Sequence, residues 1–254
     1  MKVLSIANHK GGVGKTATAR ALGDVLSRTK RILLVDLDPQ ASLTTSCGVI
    51  EAEPNLTAVF GNSQPGTLPL AKVIQPVSDN LYLAPSNLDM AAVELGINSR
   101  LGREYILAEA LQGVAKDFDL AILDCPPALS LLAINALAAS NAVLIPCQPM
   151  PVDVAALRLF LKTVETVKRI NPGLSIMGIL PTFYDSRLTA HNGALDAMKA
   201  AGWPVLPLQI GRSVRVGEAG ALGKSIINYE PSNPQAAAYE QLGKAVLKWL
   251  EKIS

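Results

Sequence analysis

Residues 8–16, Asn8-His9-Lys10-Gly11-Gly12-Val13-Gly14-Lys15-Thr16, constrain this chain more than any other stretch. They stand between an apolar run, Val3-Leu4-Ser5-Ile6-Ala7, and a segment over 17–28 that carries Leu22, Val25 and Leu26 at helical spacing. Strand, glycine-rich turn and helix in that order are the setting in which G-x-x-x-x-G-K-[ST] holds phosphate. Counting back from Gly14-Lys15-Thr16, the first glycine of that pattern falls on His9, so the match is to a variant, and the variant adds a second lysine, Lys10. Gly11, Gly12 and Gly14 let successive backbone N–H groups turn toward one concave point, and the helix opening at Thr16-Ala17 adds its own donors and partial positive charge. Lys15 would lie against the β- and γ-phosphate oxygens, and the Thr16 hydroxyl would take one position on an octahedral Mg²⁺. Lys10 either folds back onto its own nucleotide or reaches across a two-fold axis into a second subunit, as an arginine finger does in trans. A plain turn is the bland alternative, and the coincidence of strand, glycine-lysine core and helix sets it aside.

Two more apolar runs end in aspartate. Ile32 to Asp36, followed by Asp38 and Pro39, and Phe118 to Asp124, followed by Pro126-Pro127, read as buried parallel strands, and open α/β sheets bind ligands at the carboxyl ends of such strands. Asp124 is placed to enter a Mg²⁺ shell. Asp36 and Asp38 would point the same way on a continuing strand, but Pro39 bends the chain, which predicts different jobs for them. Asp36 is expected to support Mg²⁺ or the loop.

Lys10 to Thr16, Leu33-Leu34-Val35-Asp36-Leu37-Asp38-Pro39-Gln40 and Ile122-Leu123-Asp124-Cys125-Pro126-Pro127 together resemble the ParA/MinD group of deviant Walker ATPases, ParA most closely, with matching segments as far as Tyr229. The resemblance implies one α/β domain over 1–254, a mostly parallel twisted sheet with helices on both faces. It implies ATP and Mg²⁺ as cofactors, Lys10, Lys15 and Asp38 as catalytic residues, with Asp38 orienting the attacking water, and Thr16, Asp36 and Asp124 around the metal. Gly211-Arg212-Ser213 stands where ParA proteins usually have proline before the arginine and asparagine after it, in the loop that contacts adenine. Arginines of such loops hold DNA phosphates in the family, which makes Arg187, Arg212, Arg215 and Lys224, all expected in loops, the candidates for sequence-blind DNA binding. The implied cycle is an ATP sandwich homodimer on nonspecific DNA, released when a ParB-like or other small adaptor stimulates slow hydrolysis. Its cargo would be a plasmid, a chromosome or a compartment such as the carboxysome, and its location cytoplasmic and nucleoid-associated.

Composition narrows the rest. Hydrophobic residues make up 49% of the 254 and aromatics 4%, which suits an aliphatic sheet core buried on both faces, and no linker divides the chain. The net charge of +2 does not mark a nucleic-acid binder, so any basic surface must be local. Cys47, Cys125 and Cys147 lack C-x-x-C spacing and read as small buried hydrophobes rather than cluster ligands. The sequence starts in a strand with no leader pattern and no apolar run of membrane length, which predicts a soluble protein without the N-terminal helix-turn-helix of larger plasmid ParA proteins, hence no operator-specific repression.

Further expected elements are a helix at 40–47, loops and a short helix over 50–80, a strand at 80–86, and helices near 89–95 and 101–116. A strand at 142–147, a helix at 154–170 capped by Asp153, strands at 174–180 and 205–210, and a helix ending at 196–201 follow. The last segment, 235–253, carries Tyr239, Leu242, Val246, Leu247, Leu250 and Ile253 at intervals of three and four, an amphipathic helix. Its polar face has no strong basic excess, so packing on the body is favoured over membrane contact. A MinD-like membrane-surface ATPase is the alternative function, and an ATP-dependent ligase of the dethiobiotin synthetase type is a third.

Overall fold

The computed structural model describes residues 1–61 and 67–253. The expected turn residues Pro65 and Gly66 lie outside the described residues, as does the side chain of Ile253. The chain opens with β1 (Lys2–Ile6), α1 (Lys15–Leu26), β2 (Ile32–Asp36), α2 (Ser42–Ser46), α3 (Leu56–Phe60), β3 (Gln75–Ser78) and β4 (Leu81–Ala84). It continues through α4 (Met90–Gly96), α5 (Ile106–Gln112), β5 (Leu120–Asp124), α6 (Leu131–Ala139), β6 (Ala142–Cys147), α7 (Pro151–Val167) and β7 (Ser175–Pro181). Four helices close it, α8 (Thr189–Ala200), α9 (Val214–Ala221), α10 (Ile226–Tyr229) and α11 (Pro234–Ile253).

The strands form one sheet in the order β3-β4-β2-β5-β1-β6-β7, parallel except for the β3–β4 pair. Side chains alternate between its faces. Val3, Leu33, Val35, Ala121, Leu123, Val143 and Ile145 pack under α3 to α8, while Leu4, Ile6, Leu34, Ile122 and Leu144 pack under α1, α2, α10 and α11. Both faces are covered, which is why the strands read as unbroken apolar runs.

The register sets the site. Ile6 pairs with Asp124, and Asp36 also pairs with Asp124, so β1, β2 and β5 end at one level. β2 lies on one side of β1 and β6 and β7 on the other, so the glycine-lysine loop leaves the sheet where strand order reverses.

Four expectations are corrected. The segment 205–210 is not a strand; it meets β7 at an isolated Ile179–Val205 bridge and again where Ile210 donates to the Pro181 carbonyl, because Pro204 and Pro207 carry no N–H to continue a ladder. The helix expected over 101–116 forms only at Ile106–Gln112. α6 and α9 were not anticipated, α6 because its nearly all-apolar sequence lacks a helical polar face, α9 because its glycines hide the period. Arg215 therefore sits on a helix rather than in a loop.

In α11, Ala236, Tyr239, Leu242, Val246 and Leu250 are buried in the cluster shared with Leu22 and Leu26 of α1. The apolar stripe is thus spent within the fold. No helix among the described residues is long and apolar enough to cross a membrane.

Candidate nucleotide site

Gly14 is the N-cap of α1, in the left-handed region at φ 87°, and no side chain caps the helix. Gly12 also has positive φ, 70°. A β-carbon would strain both positions. With no acid in the first turn and no capping side chain, the leading N–H groups of α1 stay open to an anion. The loop is pinned from three sides. Asn8 donates Nδ2 to the Pro146 carbonyl at 2.8 Å and accepts the Lys10 N–H at 3.1 Å, and Thr182 donates its hydroxyl to the Val13 carbonyl at 2.8 Å. Gly11 and Gly12 remain exposed at the tip.

Lys15 is buried and donates Nζ to the Lys10 carbonyl at 3.0 Å, which folds the ammonium back over the loop. Burial lowers its pKa against the pull of Asp124. The Thr16 hydroxyl donates to Asp124 Oδ2 at 2.7 Å, while Asp124 Oδ1 is buried with no hydrogen-bond partner. Burial, and then the neighbouring Asp36, push the Asp124 carboxyl well above the usual carboxylate range. An orphaned buried carboxylate oxygen beside a threonine hydroxyl is an oxygen donor set that suits Mg²⁺. Asp36 differs: its Oδ1 accepts the Asp38 N–H at 3.1 Å, and its Oδ2 accepts both the Thr44 N–H at 2.8 Å and the Thr44 hydroxyl at 2.7 Å. Both oxygens are engaged, Oδ2 in holding α2 and Oδ1 in holding the Asp38 backbone, and burial raises this carboxyl to about 6.

Asp38 is half-buried and its Oδ1 accepts only the Gln40 N–H at 3.0 Å, in a short turn that continues into Ala41 at φ 51°. A non-glycine residue in that region marks a strained segment beside the site. Lys10, by contrast, points across the sheet. Its Nζ forms an ion pair with Asp153 of α7, whose side chain is 2% exposed against 40% for Lys10, and Asp153 Oδ2 has no partner. The sequence expectation that Asp153 caps α7 is corrected, since that helix has no side-chain cap. The pair spans 143 residues, so no local signal announces it.

A cavity of about 620 Å³ opens beside the loop, between Thr16 and Ala17 of α1, Phe183, and Arg212, Ser213 and Val214. Arg20, Ser46 and Lys224 also line it. Gly211, next in the chain to the lining residue Arg212, donates its N–H to Gln235 Oε1 at 2.6 Å. Of the four candidate DNA cations, Arg212 and Lys224 line this cavity, Arg187 is ion-paired with Asp185 at 2.7 Å, and Arg215 is ion-paired with Glu218 at 2.7 Å and Glu230 at 3.5 Å. The residues sequence reasoning missed are Asp153, Thr182 and Gln235, each of which holds a predicted residue from a distant part of the chain, and Thr44, which holds Asp36 from eight residues away.

Among the described residues no group of three or more histidine, cysteine and acidic side chains could hold a metal ion. Cys125 and Cys147 are buried and Cys47 nearly so, and burial pushes the Cys47 and Cys147 thiols up to about 12.

Residues 1–176 match the AAA domain family. The chromosome partitioning protein ParA of Myxococcus xanthus is 34% identical over 251 residues, 97% of this chain and 88% of that protein. This chain belongs to the ParA/MinD family of ATPases. A second ParA/MinD relative, the chromosome-partitioning ATPase Soj of Thermus thermophilus, is 38% identical over 258 aligned residues, with 96% of this chain and 94% of that one covered. Among solved structures, cobyrinic acid a,c-diamide synthase from Mycobacterium smegmatis with bound ATP analogue and magnesium is similar at TM-score 0.87 and 33% identity, over 100% of this chain and 97% of that one. The ParA/MinD fold expected from the sequence is the fold observed.

Proposed function

We propose that this chain is an ATP-driven switch that hydrolyses ATP slowly, pairs with a second copy while ATP is bound, holds nonspecific DNA in that state, and lets go when an adaptor protein accelerates hydrolysis. The observation that carries the reading is the pairing of two lysines on one open phosphate loop with a buried, half-unsatisfied Asp124 below it. Lys15 and the leading N–H groups of α1 bind the triphosphate of their own subunit, and the cavity beside Thr16 and Ala17 receives the base and ribose. Thr16 and Asp124 would hold Mg²⁺, which neutralises charge on the β- and γ-phosphates when bound. Asp36, with both oxygens committed to α2 and the Asp38 N–H, braces the loop that carries Asp38. Asp38 orients the attacking water. Lys10 leaves Asp153 and reaches the partner's phosphates, which makes ATP the bridge between subunits and its hydrolysis the release step.

The same reading gives the cargo role of a partition or positioning ATPase, with a plasmid, a chromosome or a protein compartment as load, a ParB-like or other small adaptor as partner, and the nucleoid in the cytoplasm as place of work. The burial of the α11 apolar stripe counts against the MinD-like membrane alternative. The likeness to an amide-forming synthase favours one second reading, an ATP-dependent ligase acting on a small molecule.

Co-sedimentation with DNA of random sequence separates these. The wild type should bind DNA with ATP and not with ADP, and Arg212→Glu with Arg215→Glu should weaken that binding while sparing dimerisation. For every DNA phosphate that the variant no longer neutralises, the slope of log affinity against log salt becomes shallower by about 0.9. No nucleotide-dependent DNA binding at low salt would refute the switch reading and favour the ligase.

A further inference from the structure

Gly211 is held in a way its own segment does not require. The stretch before it is fixed to the sheet, Ile210 donating to the Pro181 carbonyl at 2.9 Å and Tyr184 donating to the Ile210 carbonyl at 3.0 Å. Gly211 itself forms a parallel bridge with Tyr184, and its N–H goes to the side chain of Gln235, in the first turn of α11. That turn is itself rigid: Asn233 Oδ1 accepts the Gln235 N–H at 3.0 Å, and Ala236 and Tyr239 are buried in the cluster shared with α1. A β-carbon at 211 would lie 2.9 Å from Gln235 Nε2 and 3.3 Å from its Oε1, so the contact exists because the residue is glycine. The next three residues, Arg212, Ser213 and Val214, line the same cavity of about 620 Å³ as Thr16 and Ala17. α1 thus contributes to the cavity directly through Thr16 and Ala17, and at 212–214 through its packing with α11, which carries Gln235.

We propose that Gln235 is a positioning residue for the nucleotide base: by accepting the Gly211 N–H it fixes the backbone of 211–213 at the spacing from α1 that admits adenine and discriminates against guanine. The inference rests on the reading of this cavity as the base site. An exposed, free loop could shift by an ångström at little cost and accept either purine; a loop held at Ile210 by the Pro181 carbonyl and at Gly211 by α11 cannot, because backbone donors and acceptors must meet the base edge within hydrogen-bond distance. The amide is suited to this task, since its oxygen takes the N–H while its nitrogen blocks any side chain at 211.

The test measures equilibrium binding of ATP, GTP and inorganic tripolyphosphate to the full chain, with Mg²⁺, for the wild type, Gln235→Ala and Gln235→Glu. The loss of one neutral hydrogen bond corresponds to roughly a two- to tenfold change. Gln235→Ala is expected to weaken ATP binding and to reduce the ATP over GTP preference by that factor, with tripolyphosphate binding unchanged. Gln235→Glu, whose carboxylate still accepts the Gly211 N–H, restores the preference. A wild-type preference that survives in Gln235→Ala overturns the inference alone, as does an equal loss for tripolyphosphate or a failure of Glu to restore. A wild type that binds tripolyphosphate and shows no preference between ATP and GTP overturns the base-site reading, and the inference falls with it.

Discussion

Asp153→Asn is the substitution for which the ion pair at Lys10 makes the sharpest forecast. In the free chain Lys10 Nζ sits on Asp153 Oδ1, Asp153 is 2% exposed, and its second oxygen has no partner. If Lys10 must leave to reach a second subunit's phosphates, a buried carboxylate is stranded. Stranding one partner of a fully buried pair costs about 3–5 kcal/mol. Lys10 is 40% exposed, so water reaches the pair and the lower figure of about 2 kcal/mol is the better estimate. An asparagine amide in the same place leaves a neutral group unpaired, at about 1 kcal/mol. The substitution therefore relieves about 1 kcal/mol per subunit and about 2 kcal/mol per dimer, which lowers the dimer dissociation constant roughly thirtyfold. Analytical ultracentrifugation over a protein dilution series, with a non-hydrolysable ATP analogue, reads that constant. A dissociation constant equal to or higher than that of the wild type would show that Lys10 does not have to quit Asp153 on dimerisation, and would refute the forecast.

Two other outcomes are expected. Asp38→Ala should bind ATP as the wild type does and hold the DNA-bound dimer, because a carboxylate that only orients water adds nothing to affinity; wild-type turnover in a phosphate-release assay would exclude this role. Asp36 is held at about 6 against 3.8 for a free aspartate, so the folded state takes its proton more readily than the unfolded state. The stability it contributes is full below 3.8 and is lost as pH rises through about 6, amounting to about 3 kcal/mol over that window. Asp36→Asn should therefore melt at a lower temperature than the wild type at the acid end and gain on it as pH rises; a difference in melting temperature that does not change between those limits would count against the assignment.

The parts of the site that the sequence made legible are those built from neighbours in the chain. Gly11 to Thr16, the strand that ends at Asp36 and the strand that ends at Asp124 each carry their geometry in consecutive residues, and a parallel sheet brings such strand ends together by rule. What stayed hidden depends on pairings that only the fold selects, some between distant segments and some between near neighbours. Asp153 had the look of a helix cap because nothing near it speaks of Lys10. Arg187 and Arg215 had the look of free cations because Asp185 and Glu218 are equally good solvent-facing acids until the fold pairs them. The stretch 205–210 had a strand's apolar pattern, and only the position of Pro204 and Pro207 against the β7 edge shows that no ladder runs on from the Val205 bridge to Ile210. Gly211 looked like a missing proline and proved to be the donor that Gln235 requires.

Whether Lys10 acts in the other subunit decides the proposed cycle, and solution mass, measured by light scattering with and without a non-hydrolysable ATP analogue, tests it most directly. The wild type should pass from the 26.8 kDa monomer to twice that mass only when nucleotide is present, and Lys10→Ala, still binding nucleotide through Lys15, should stay at 26.8 kDa. A Lys10→Ala protein that doubles its mass with nucleotide as the wild type does would contradict the account.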